Sequence, residues 1–211
     1  MNKKVYANDD FIEQLLTGWI QANQRYVELL GRKDCCWWYN ERTNASVLAG
    51  AAWSLGWAAI EEYPSDKLMK GSLQEDTDTS RGRVDIYITN NHDDVAIEAK
   101  HAWYNLDNIV SGNDILLCKM NEAFSDAKRL KNQADRHFSA TFAVFYTEIN
   151  SQELIAEENI EKLINNAISN SKKENISYAY IIDSHFMFQN TRGYYYPCIA
   201  LVLEKIECTT C

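Results

Sequence analysis

Apolar residues recur at three- and four-residue intervals through Phe11, Ile12, Leu15, Leu16, Trp19, Ile20, Val27 and Leu30, which lines one side of a helix. Asp9 and Asp10 precede this run and Gly31 follows it, matching helix start and stop signals. A second helix is expected over residues 41–55, with Asn40 as its cap, Gly56 beyond its end, and a small apolar side (Ala45, Leu48, Ala49, Ala51, Ala52) suited to close packing on a sheet. Residues 57–63 read as a short strand stopped at Pro64. Residues 64–82 are polar and unpatterned, a long loop of the kind that carries function. Alternation then predicts strands over 84–89 and 95–100, joined by turn residues 90–93. A helix over 113–133, a buried strand over 140–146, a helix over 152–169 and strands over 177–182 and 194–203 complete the chain. There is no internal repeat. The order predicts an α/β fold with a mixed central sheet flanked by helices.

Composition narrows the class. A chain of 211 residues with 46% hydrophobic residues, 8 Gly and 2 Pro is expected to form a single domain over 1–211 with its own core. The formal charge of −9 removes the broad positive field of a non-specific nucleic-acid binder, so any nucleic-acid contact must be local. No apolar window reaches a membrane span, and the opening MNKKVYANDDF lacks an apolar signal core, so a cytoplasmic protein without membrane contact is expected. Six cysteines include Cys35–Cys36 and a terminal Cys208/Cys211 pair; a zinc site from these four lacks the usual spacing, and reduced or buried thiols are the favoured reading.

The chemistry concentrates in residues 81–100. Strand alternation puts Glu98 and Lys100 on one face and Ile97 and Ala99 on the other. A turn centred on Asn91 and His92 would set Asp85 opposite Glu98 and Arg83 opposite Lys100. Opposed carboxylates repel, and a hard divalent cation relieves that repulsion, since Mg²⁺ binds through one or two carboxylates and keeps several waters. Lys100 would then stand where it can position an attacking water or offset charge on a phosphate.

Asp85, followed by Glu98-x-Lys100 on the next strand with helix and strand on either side, resembles the PD-(D/E)XK nuclease superfamily. That family shares an αβββαβ core and includes restriction endonucleases, Holliday-junction resolvases and repair or defence nucleases. The resemblance covers residues 39–148, leaving an N-terminal helical extension over 1–38 and a C-terminal helix and strands over 149–211. It implies a restriction-endonuclease-like fold, Mg²⁺ or Mn²⁺ held by Asp85 and Glu98, a catalytic Lys100, and nucleic acid, DNA first, as substrate. The family's additional glutamate near the start of the preceding helix matches Glu41, with Glu62 as rival and Arg83 as a supporting residue. The family's proline before the motif aspartate is absent; Arg83-Val84 stand there.

Blander readings accompany each residue. Glu98 and Lys100 fit a solvated strand face, Glu41 a first-turn acid favoured by the helix dipole, and His92 and His101 turn and structural residues. Only one of Glu61 and Glu62 is expected to face the site. Lys119, Lys128, Arg129, Lys131, Arg136 and His137 suggest a phosphate-binding strip or a solvated helix face, while Trp37-Trp38-Tyr39 and Trp103-Tyr104 suggest base stacking or core. The alternative function is a non-catalytic protein-binding module of the same fold, homodimeric or with a protein partner. The acidic stretch 75–78 and the net charge favour that alternative. A zinc-stabilised adaptor is a third.

Overall fold

The computed structural model describes residues 1–68, 79–107, 113–130, 133–148, 156–170, 175–183 and 189–207. The chain runs β1 (Asn2–Tyr6), α1 (Asp10–Leu29), a 3₁₀ turn (Cys36–Trp38), α2 (Glu41–Ser54), β2 (Ala58–Leu68), β3 (Thr79–Thr89) and β4 (Asp94–Asn105). It continues through α3 (Asn113–Ala127), β5 (Arg136–Thr147), α4 (Glu157–Asn170), β6 (Ile176–Ile182) and β7 (Tyr195–Ile206). All seven strands join one mixed sheet in the order β1-β6-β7-β5-β4-β3-β2. Among the described residues only the β4–β5 contact is parallel. The parallel pair requires a crossover, which α3 supplies. The mixed α/β class expected from the sequence is therefore observed.

Two helical layers cover the sheet. Leu15, Leu16 and Trp19 of α1 and Leu48, Ala51 and Ala52 of α2 are fully buried against Ile86, Ile97, Phe142 and Leu201. On the opposite face Leu116 and Met120 of α3 and Ile160 and Ile164 of α4 meet Ala102, Ala143, Phe145 and Ala200. Burying each large side chain is worth about 1.5–3 kcal/mol, so the two cores define the frame. Asp9 caps α1 by accepting from the Ile12 amide at 3.0 Å, and Asn40 caps α2 by accepting from the Thr43 amide at 3.0 Å.

Several expected boundaries change. The first residues form strand β1 on β6, an element too short and lysine-rich to show a pattern. Pro64 does not stop β2: it pairs opposite Arg83 within the strand, which is tolerated because β2 is the sheet's edge. The expected loop over 64–82 therefore shrinks, with β2 reaching Leu68 and β3 beginning at Thr79. The acidic residues 75–78 lie outside the described residues, as do Lys131, Cys208 and Cys211. Helix α3 ends at Ala127, short of the expected 133, and α4 begins at Glu157. Among the described residues no helix is long and apolar enough to cross a membrane.

Candidate active site

The β3–β4 hairpin pairs from Thr89 opposite Asp94 to Ile86 opposite Ile97, the register that a turn centred on Asn91 and His92 dictates. Asn90 fixes this turn, its side-chain oxygen accepting from the His92 and Asp93 amides at 2.7 Å each. One step further the register would oppose Asp85 to Glu98, but the pairing ends at Ile86. The cause lies in the neighbouring strand. Glu62 has a φ of 51°, and the β2–β3 pairing skips Glu62 and Asp85 before resuming with Tyr63 opposite Val84. A left-handed backbone at a glutamate is a local cost that the surrounding structure must hold in place. The interruption turns β3: Ile86 packs with the α1–α2 core, whereas Val84 joins Ala96 and Leu130 on the other side of the sheet.

Where β3 turns away, β4 presents uncovered backbone donors. Amides two residues apart in a strand point to the same edge. The Ala99 amide donates to Asp85 Oδ2 at 2.7 Å, and the backbone of His101 lies close enough to the Glu41 carboxylate to oppose the rise in its pKa. Carboxylates from β3 and α2 thus gather along the uncovered edge of β4. Both line a recess of about 20 Å³ with Arg42, Ala45, Glu61, Glu62 and Ala99. That is room for about one water-sized body. Burial raises the Glu41 pKa; Lys100 opposes this shift and the Asp85 charge reinforces it.

Glu98 and Lys100 share a face, as alternation predicts, and it is the face under α3. Glu98 is 3% exposed and accepts from Lys67 Nζ at 2.6 Å. Burial, and then the Asp85 charge, push its pKa up to about 7 despite the lysine. Gly82 makes this ion pair sterically feasible, because a Cβ there would lie 2.9 Å from Lys67 Cδ. Lys100 Nζ stands 2.8 Å from Asp126 of α3. Burial, the largest single influence, disfavours the Lys100 charge, but the Asp126 hydrogen bond and charge together with the Glu41 and Asp85 charges outweigh it, so its pKa is raised. Ser139 and Thr141 of β5, in register beside Glu98 and Lys100, keep the neighbouring row small.

The other expected residues sort clearly. Arg83 does not oppose Lys100; it and Arg42 pair with Glu62 at 2.9 and 3.0 Å, so Glu62 is a doubly neutralised carboxylate at the rim. Both Glu61 and Glu62 line the recess, because the left-handed residue breaks their alternation. Ser46 donates to Glu61 at 2.6 Å. His101 packs edge-on against Trp103, 4.5 Å between ring centroids, and burial lowers its pKa to about 4. The supposed basic strip is largely engaged: Lys119 with Glu122, Arg129 with Asp126, and Arg136 with Asp9 and Asp93. Cys35 and Cys36 are buried and burial raises both thiols, opposing the thiolate that zinc binding needs. Trp37 and Tyr104 belong to the core, whereas Trp38, Tyr39 and Trp103 line a cleft. Sequence reasoning missed Lys67 and Asp126. Lys67 fell within a presumed loop, and only the fold, which carries its ammonium from the edge strand to Glu98, gives it meaning.

The donors fit a hard cation. The recess offers carboxylate oxygens and no sulfur or imidazole ligand. Among the described residues no three His, Cys, Asp or Glu groups converge to hold a metal ion. An ion seated by Asp85 and Glu41 would therefore retain much of its water shell, as Mg²⁺ does. No family model matches this chain, and neither a curated protein nor a solved structure matches it.

Proposed function

We propose that the protein is a metal-dependent nuclease of the PD-(D/E)XK type, hydrolysing phosphodiester bonds in nucleic acid with Mg²⁺ or Mn²⁺. The observation that carries this reading is the pair of carboxylates, Asp85 on the Ala99 amide and Glu41 across the same recess, with Lys100 near enough for its charge to act on both. The run α2-β2-β3-β4-α3-β5, antiparallel through β4 and parallel from β4 to β5, supports an αβββαβ restriction-endonuclease-like core.

Asp85 is the central ligand in this reading, with Glu41 beside it. Glu98, held by Lys67, would add a further carboxylate to the ligand set were the ammonium displaced. When bound, the metal activates water and neutralises phosphate charge. Lys100, whose raised pKa keeps it protonated, stabilises the charge that develops on the phosphate. Asp126 orients Lys100 from α3. The small chain fits a resolvase-like, repair or mobile-element and defence nuclease by fold analogy.

Labelled single-stranded and duplex DNA and RNA, incubated with the purified chain and Mg²⁺ or Mn²⁺, test the proposal. Cleavage is expected from the wild type and a loss of about a hundredfold or more from Asp85→Ala and Lys100→Ala, with circular dichroism unchanged. Equal cleavage by wild type and both variants would identify a contaminant and overturn the reading. A folded wild type that cleaves none of these substrates would favour the protein-binding alternative.

A further inference from the structure

A second cleft adjoins the recess through β4. Trp38, Tyr39, Trp103, Tyr146, Tyr194 and Tyr196 line it together with Asn190 and Arg192, enclosing about 560 Å³. That volume is within the range of small-molecule sites. Three of its rings are held by their polar ends. Asp34 accepts from Trp38 Nε1 at 2.8 Å and from the Tyr39 hydroxyl at 3.0 Å, and Asn190 donates to the Tyr196 hydroxyl at 2.8 Å. Asn190 also accepts from the Arg192 and Tyr194 amides, fixing the turn that carries Arg192. Trp103 stands edge-on to Tyr146 and Tyr196, with centroids 6.2 and 5.9 Å away. Despite these anchors, Trp103 and Tyr39 are each 39% exposed. Part-exposed rings held within a fixed aromatic cluster form a stacking platform prepared before any ligand arrives.

We infer that this cleft takes an unpaired nucleobase, with Arg192 meeting the attached phosphate, so that the substrate enters as a single strand or an opened end. The inference rests on the nuclease reading for its place beside the recess. Trp103 lies four residues beyond Ala99, whose amide holds Asp85, and on the same face of β4, about 13 Å of strand, a span of a few nucleotides. Aromatic faces accept any base, and paired bases hide theirs. This route suits an acidic chain: with a formal charge of −9 it cannot draw affinity from broad counterion release, whereas stacking needs none. Arg192, which has no ion pair among the described residues, favours an anionic ligand over a quaternary ammonium.

The test is tryptophan fluorescence titration of the full chain with a short oligothymidylate in EDTA. The wild type should bind without any divalent cation, because the cleft is separate from the recess. Trp103→Ala should weaken binding about tenfold or more, with Trp103→Phe recovering part of it. Arg192→Gln should weaken binding and lower the log–log salt slope by about 0.7, the share of one phosphate. The same sequence annealed as a blunt duplex should bind about tenfold more weakly than the single strand. Wild-type affinity in Trp103→Ala, equal binding of the duplex, or no oligothymidylate binding by the folded wild type would each overturn the inference. Displacement of the oligonucleotide by tetramethylammonium alone would assign the cleft to cations instead. Oligonucleotide binding through Trp103 without cleavage under any metal would support the cleft and refute the nuclease reading.

Discussion

β4 and β5 lie side by side, run parallel and sit beneath the same helices, yet they are built on different terms. Every residue of β5 from His137 to Phe145 is buried, and the large ones, Phe138, Phe142, Val144 and Phe145, fill the cores on both faces. β4 carries Glu98, Lys100 and His101 at its centre. The difference arises from the neighbours. β5 is paired along its length on both sides, by β4 and β7. β4 loses β3 beyond Ile97, and its uncovered Ala99 amide takes the Asp85 carboxylate in place of a strand. A packed strand supplies the frame; an interrupted one supplies the site.

The largest separable effects should come from exchanging the two strands' roles. Phe142→Ala should cost about 3–5 kcal/mol in urea unfolding while leaving activity per folded molecule intact. Asp85→Asn should abolish metal-dependent cleavage with little loss of stability. A β5 substitution that selectively removed activity would break the comparison.

Next in size is Lys67→Met, which leaves the buried Glu98 without its partner. Breaking such a pair costs about 3–5 kcal/mol, and the loss should be larger at pH 8 than at pH 5, where Glu98 takes up a proton. Added Mg²⁺ should recover part of the loss if the ion replaces the ammonium. Thermal melts at the two pH values, with and without Mg²⁺, measure both effects.

The pH profile sharpens the contrast further. The folded pKa of Glu98, about 7, lies above the ordinary value of 4.5, so the folded chain holds this proton more tightly than the unfolded chain. Its contribution is fully present below the ordinary carboxylate pKa and is lost as pH rises through about 7. His101, lowered to about 4, acts oppositely, destabilising the fold as pH falls below 6.5. Glu98→Gln should therefore remove a falling component from stability against pH across this window, read as the difference between variant and wild-type unfolding free energies. An unchanged difference would place Glu98 in an ordinary solvated setting.

Gly82→Ala should give the smallest effect, about 1 kcal/mol, because the new methyl displaces the Lys67 stem. It should fall further when measured in a Lys67→Met background.

Much of this arrangement is legible in the chain. Residues 11–30 and 41–55 declare their helices through spacing and caps, and the Asn90 turn sets the hairpin register because its chemistry is local. The placement of Glu98 and Lys100 on one face follows from alternation alone. What escapes the sequence depends on distant partners. Pro64 reads as a stop until β2 is known to be an edge, and residues 2–6 read as a polar tail until β6 lies beside them. Nothing in Glu61-Glu62 announces a left-handed backbone, since glutamate has no preference for one, yet that residue opens the gap between β3 and β4. The assignment of Lys67 to Glu98 and of Asp126 to Lys100 likewise requires the fold.

The central claim, that the gap beside β4 is a cation site, is tested most directly by isothermal titration of Mn²⁺ and Mg²⁺ into the wild type and Asp85→Asn at pH 8. The account predicts saturable binding to the wild type that vanishes in the folded variant. Binding of equal strength in both proteins, or none by the folded wild type, would contradict it.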